Sequence, residues 1–244
     1  MNAVFIAGTD TGIGKTYCAT QLLSQFNAAG YSTCAMKPLA TGCILTAEGE
    51  LVNDDALALQ GAASIKRVYA DVNPYAFQLP IAPELAANAV GRRLTVAEVA
   101  QKIRDFIDSA ADITIIEGVG GWAVPLNEHE LVADVVRTLK LPTILVVGVR
   151  LGCLNHALLT SDSILRSGVP FVGWIANCLD PALPMPEGVI ASLSQWIPRP
   201  CLGILPFESR DDSLQGHFSL KTTVLSKHPK DLAPNLDAKL GAIT

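Results

Sequence analysis

The chain has 244 residues, half of them hydrophobic and 17% charged, with a formal net charge of −5. That length allows one large α/β domain or two small ones, and the low charged fraction suits strands buried on both faces or apolar surface hidden in an oligomer. The acidic balance and the lack of a polybasic run speak against nucleic acid or anionic lipid as the main partner.

Ala3–Ala7 is predicted as a buried strand and Lys15–Ala28 as the helix after it, with Ser32–Met36 as a second strand. Asp55–Gln60 starts a short helix for which Asn53 and Asp54 are candidate caps. Thr95–Ser109 carries Val96, Val99, Ile103, Phe106 and Ile107 near helical spacing, and Thr95 with Glu98 makes a capping box. Ile113–Ile116, Thr143–Val149, Pro170–Ala176 and Pro200–Leu205 read as strands, and Asn155–Ser167 and Glu187–Trp196 as helices. The alternation predicts a mainly parallel sheet covered by helices on both faces, with ligands at the carboxyl ends of its strands. A single domain is expected over 1–220, followed by a loosely held tail over 221–244.

The opening residues lack the basic start and apolar stretch of a signal peptide, and the run Ile144 to Val149 is far shorter than the ~20 residues a spanning helix needs. The six cysteines are scattered without a C-x-x-C pair, which suits reduced thiols. A cytoplasmic protein is expected.

The strongest local signal is Gly8-Thr9-Asp10-Thr11-Gly12-Ile13-Gly14-Lys15-Thr16, between a strand and a helix. Glycines let the backbone turn its N–H groups onto phosphate oxygens, and the helix start adds its positive end. Lys15 can reach the β- and γ-phosphates, and the Thr16 hydroxyl can bind Mg²⁺. The usual loop has four residues between its glycines; Gly8 and Gly14 enclose five, so the loop is a variant. In related partitioning ATPases a lysine stands where this chain has Asp10, which argues against that kind of dimer switch.

Mg²⁺ also needs hard oxygen ligands. Glu117 ends a buried strand before Gly118-Val119-Gly120-Gly121, at the ligand edge of the sheet. Asp55 read alone is a helix-cap acid. Lys37, at the end of a strand and before Pro38, is as well explained by a solvated surface lysine as by a cation for a transferring phosphoryl group.

Several motifs then occur in order: the phosphate loop, Lys37-Pro38-Leu39-Ala40-Thr41-Gly42, Asp55-Ala56-Leu57-Ala58-Leu59-Gln60, Val72-Asn73-Pro74-Tyr75, Glu117-Gly118-Val119-Gly120-Gly121-Trp122, and Val147 to His156. Together they resemble dethiobiotin synthetase, over about residues 3 to 207. The resemblance implies a three-layer P-loop fold and a homodimer with active sites at the subunit interface. It implies ATP- and Mg²⁺-dependent ring closure of 7,8-diaminopelargonate with CO₂, giving dethiobiotin, ADP and phosphate. The route runs through a carbamate and a carbamic-phosphoric anhydride.

The resemblance also implies residue roles. Thr11, Lys15 and Lys37 would be catalytic, and Gly12, Ile13, Gly14, Lys15, Thr16 and Tyr17 would wrap the phosphates. Thr16, Asp55 and Glu117 would hold Mg²⁺. Gly118, Val119 and Gly120 would lie along the nucleotide, Gly118 also along the substrate. Asn177, Cys178, Pro206, Phe207 and Glu208 would hold the adenine end. Thr41 would touch the diamine or carbamate. Val149, Leu151, Gly152, Cys153 and Asn155 would meet the substrate's far carboxylate, from the partner subunit. Gly12 stands where many members carry an acid, and Arg150 where lysine is common. His156 is expected to pack or to support the site from behind rather than react, and Trp122 to be core or pocket wall. No Ser-His-Asp nucleophile, glutaminase-like Cys–His arrangement or metal-loading His/Cys cluster is evident, which disfavours amidating and switch-protein readings.

Overall fold

A computed structural model describes residues 2–107 and 111–207. The strand β1 (Ala3–Gly8) runs into the glycine loop and helix α1 (Lys15–Ala28). After β2 (Thr33–Met36) come β3 (Leu39–Thr41), a hairpin of β4 (Ile44–Leu45) and β5 (Leu51–Val52), α2 (Asp54–Ala62), α3 (Tyr69–Val72), β6 (Tyr75–Phe77), α4 (Pro83–Ala89) and α5 (Val96–Ile107). The chain continues through β7 (Ile113–Glu117), α6 (Val132–Leu139), β8 (Thr143–Val149), α7 (Cys153–Arg166), β9 (Phe171–Cys178), α8 (Pro186–Trp196) and β10 (Cys201–Leu205).

Six strands form one parallel sheet in the order β10-β9-β8-β1-β7-β2. Strand side chains alternate between faces, and the core divides accordingly. Ile6, Ile115, Ile144 and Val146 pack with Cys18, Leu22 and Leu23 of α1 and Leu59 of α2. Phe5, Ile116, Leu145 and Val147 pack on the other face with Val99 and Ile103 of α5, Val135 and Val136 of α6, and Ile164 of α7. The result is the three-layer arrangement expected from the alternation of elements.

Strand order reverses at β1, which lies between β7 and β8. The crevice beyond the strand tips at such a reversal is where open α/β sheets bind ligands. The glycine loop leaves β1 at this point.

Local details follow the sequence closely. Asn53 caps α2, its side chain accepting from the Ala56 N–H at 3.3 Å, while Asp54 stands inside the first turn. Thr95 and Glu98 exchange hydrogen bonds of 3.1 and 3.3 Å, the expected capping box. Asn177 lies within β9 rather than after it. The end of the predicted helix at Ser109 and the segment 208–244, with Glu208 and the tail, lie outside the described residues. No helix among the described residues is long and apolar enough to cross a membrane. Cys18, Cys34, Cys43 and Cys153 are buried thiols, and none of the six cysteines is in a disulfide.

Candidate active site

A cleft of about 850 Å³ opens at the carboxyl edge of the sheet. Its floor is the loop Thr11, Gly12 and Gly14 to Tyr17; its sides carry Lys37, Thr41, Asp55, Glu117, Val119 and Gly120. Gly12 and Gly14 have φ of 71° and 77°, the left-handed region that glycine enters without steric cost.

Two lysines meet here in opposite electrostatic settings. Lys15 is 7% exposed, and its Nζ donates to the carbonyls of Asp10 at 3.0 Å and Gly120 at 2.6 Å. Burial, and then the neighbouring Lys37, pull its pKa down to about 8. Lys37 is 4% exposed, and its Nζ donates to Asp55 Oδ2 at 2.8 Å and Glu117 Oε1 at 2.6 Å. Burial opposes its charge, but the two carboxylates outweigh that and its pKa is raised. Asp55 is likewise disfavoured by burial, yet Lys37 holds its carboxyl below the usual range. Lys37 is therefore a buried, charged group, and the solvated-surface alternative falls.

Thr16 joins the same cluster. Its hydroxyl donates to Glu117 Oε1 at 2.9 Å. The second oxygen, Glu117 Oε2, is buried without a hydrogen-bond partner. An unsatisfied buried carboxylate oxygen beside a hydroxyl and a second carboxylate is a suitable donor set for a hard divalent cation. No group of three His, Cys, Asp or Glu with metal-site geometry occurs among the described residues. Two carboxylates and a hydroxyl leave positions for waters and phosphate oxygens, the ligands Mg²⁺ keeps.

Lys37 is held from behind. Its N–H donates to Val72 O at 2.9 Å, and its carbonyl accepts from Asn73 Nδ2 at 2.7 Å. The Tyr69 hydroxyl accepts from the Asn53 N–H at 2.8 Å and lies 3.2 Å from Asn73 Oδ1, linking the start of α2 to the same support. The motif Val72-Asn73-Pro74-Tyr75 therefore fixes the lysine's backbone. Trp122 is buried edge-to-face on Phe5, with ring centroids 6.4 Å apart, below the Gly118–Gly121 turn.

Other expected site residues lie elsewhere. Ile13 is buried in the core beneath the loop. Gly118 backs onto Phe5, where an added Cβ would come within 2.8 Å of the ring. Asn177 is buried and its amide donates to Ile13 O at 2.8 Å. Neither these three nor Cys178, Pro206 and Phe207 line the cleft. Val149 and Cys153 are buried, whereas Leu151, Gly152 and Asn155 face outward at the start of α7. This segment is tied to the glycine loop by Arg150 Nη2 and Asp10 Oδ2, 2.6 Å apart. His156, expected to pack or to support the site from behind, is exposed on α7. The cleft gains a wall that sequence reasoning missed: Pro80, Ile81, Ala82 and Pro83 on one side, and Ala123, Val124 and Pro125 on the other. Its residues are apolar and carry no titratable group, so only its three prolines, of which Pro83 opens α4, could have drawn attention to it.

A parallel three-layer sheet whose first strand feeds a glycine loop, a lysine and a threonine is a P-loop nucleotide-binding protein. A family described as an AAA domain matches residues 2–212. The ATP-dependent dethiobiotin synthetase BioD of Pseudomonas paraeruginosa is 50% identical over 206 residues, which are 84% of this chain and 90% of that protein. That of Cellvibrio japonicus is 46% identical over 97% of this chain and 98% of its own length. Among solved structures, the signal recognition particle receptor FtsY of Elizabethkingia anophelis in complex with GDP superposes with a TM-score of 0.55 at 16% identity, covering 94% of this chain and 62% of that one. The cell division protein MinD of Aquifex aeolicus gives 0.53 at 12% identity, covering 85% and 83%. These two share the fold alone. The chain belongs to the ATP-dependent dethiobiotin synthetase family and is an ATP-dependent ligase.

Proposed function

We propose that the protein closes the cyclic urea of dethiobiotin on 7,8-diaminopelargonate, using CO₂ and ATP, in the cytoplasm and as a homodimer. The observation that carries this reading is the Lys37 ammonium, buried between Asp55 and Glu117 and facing the phosphate loop. Ring closure on a weak acid derivative needs an oxyanion brought to a phosphoryl group, and a buried cation at that point neutralises both.

One amine of the substrate adds to CO₂ and loses a proton, giving a carbamate. The carbamate oxygen displaces ADP from the γ-phosphorus, forming the carbamic-phosphoric anhydride. The second amine then attacks the carbonyl carbon, and phosphate leaves with the carbamate oxygen. Lys37 faces the carbamate and the γ-phosphate, Lys15 the β- and γ-oxygens. Thr11 and Thr41 offer hydroxyls along the cleft, and Gly12, Gly14 and Gly120 let backbone approach the ligand closely. Thr16, Asp55 and Glu117 are the groups that would hold Mg²⁺, which supplies charge neutralisation on the phosphates. The cleft walls at Ile81 to Pro83 and Val124 to Pro125 exclude water from the anhydride, which hydrolysis would waste.

The test is conversion of 7,8-diaminopelargonate, bicarbonate and ATP with Mg²⁺, read by mass spectrometry beside ADP release. A cyclic urea formed one-for-one with ADP is expected. ADP release that ignores omission of the diamine would return the protein to a P-loop ATPase of other purpose.

A further inference from the structure

Asn177 has a role on the page that differs from contact with a base. It stands on β9 directly across from Gly148 on β8, at the carboxyl edge of the sheet. Its amide donates to the carbonyl of Ile13 at 2.8 Å, and the side chain is 4% exposed. Gly14 fits only because it has no side chain: an added Cβ would collide with the Asn177 amide. Gly148 likewise leaves room for Ile13, since a Cβ there would lie 2.9 Å from Ile13 Cγ2 and 2.6 Å from Leu179 Cδ1. The sheet tips thus grip the loop twice, by the Ile13 side chain and by its carbonyl.

The geometry points to Asn177 as a positioning residue for phosphate binding, acting through the Ile13–Gly14 peptide. In a planar trans peptide the carbonyl and the following N–H point in opposite directions. Holding the Ile13 oxygen toward β9 turns the Gly14 N–H away from the sheet, on the residue that lines the cleft and precedes Lys15. Without the amide, a buried carbonyl would lack its donor and the peptide could rotate, which costs the loop its preorganisation. Gly148 contributes by keeping Ile13 seated. This inference rests on the reading of the loop as the phosphate site.

The test separates phosphate positioning from base contact. Binding of Mg²⁺–tripolyphosphate, which has no base, is measured by calorimetry beside ATP and GTP. Asn177→Leu, which removes the donor at similar size, is expected to weaken tripolyphosphate and ATP alike, by about tenfold, with the ATP-to-GTP ratio unchanged. Gly148→Ala unseats Ile13 with Asn177 intact and is expected to do the same, so the inference stays testable if the leucine variant does not fold. Weakened ATP with unchanged tripolyphosphate and a collapsed ATP-to-GTP ratio would show a base contact alone and overturn the inference. Unchanged tripolyphosphate binding in Gly148→Ala would overturn it too. Failure of the unaltered protein to bind tripolyphosphate would remove the phosphate-loop reading itself, a result distinct from either.

Discussion

The cleft and the turn after β8 are built differently. At the phosphate end, Lys15, Lys37 and Glu117 are buried and bonded to groups of the same chain, and only Glu117 Oε2 among their polar atoms is left without a partner. The turn from Val149 to Asn155, outside that cleft, carries Leu151 at 90% exposure, and its Arg150 reaches back to Asp10 through an exposed ion pair. Surface ion pairs contribute only about 0–1 kcal/mol, so that tie is weak. The difference shows which of the two regions the chain preorganises through its own buried contacts. The charged cluster beside the phosphate loop is buried and internally bonded, while the turn after β8 presents backbone and an apolar side chain outward.

The largest effects should come from the two lysines, and they should part on stability. Both Lys37→Ala and Lys15→Met should lower kcat by at least about 10³-fold, since each removes a cation from a phosphoryl-transfer site. Lys37→Ala also leaves Glu117 buried with only Thr16 as partner, and breaking a buried pair costs about 3–5 kcal/mol. Lys15→Met removes a cation held against its own desolvation, so the variant should unfold at equal or higher denaturant, by about 1 kcal/mol. Two variants equally inactive but displaced in opposite directions in urea would bear out the contrast. Equal destabilisation would show that Lys15 is part of the same ion-pair network.

The outward turn can be broken without touching the phosphate end. Leu151→Asp should leave monomer stability nearly unchanged, because a 90% exposed side chain contributes little to folding. It should weaken self-association by sedimentation and raise KM for the diamine about tenfold, with KM for ATP little changed. An active monomer with unaltered diamine KM would sink the interfacial reading of this turn.

Much of this division was legible in the sequence. Gly8 to Thr16 declares a phosphate loop because glycine placement, lysine and threonine are dictated by one local task. The six sheet strands are short apolar runs, and the parallel order follows from their alternation with helices. Residues that act through tertiary approach were less legible. Asp55 and Glu117 lie 18 and 80 positions from Lys37, and nothing local in either says that they share its ammonium. Asn73 looks like a turn residue until its amide is seen on the Lys37 carbonyl. The walls Pro80–Pro83 and Ala123–Pro125 carry no titratable group, so a search for chemistry passes over them. The helix α6 went unplaced although Val132, Val135, Val136 and Leu139 make one apolar face, because it is short and follows an irregular loop.

The smallest expected effect reads the phosphate end through protons. With its pKa pulled down to about 8 by burial and by Lys37, Lys15 is about half deprotonated at pH 8. Its desolvation cost to the folded state is fully present below that pH, where the group is charged in both states. The cost is relieved as pH rises from about 8 toward the ordinary value of 10.5. Phosphate oxygens beside Nζ favour the ammonium and raise the pKa again. Binding of Mg²⁺–ATP at pH 8 should therefore take up about half a proton, and at pH 6.5 almost none from this group. Calorimetry in buffers of different ionisation enthalpy measures the uptake, and Lys15→Met should abolish it. Uptake that persists in that variant would place the titrating group elsewhere, because Lys37, held charged by Asp55 and Glu117, already carries its proton.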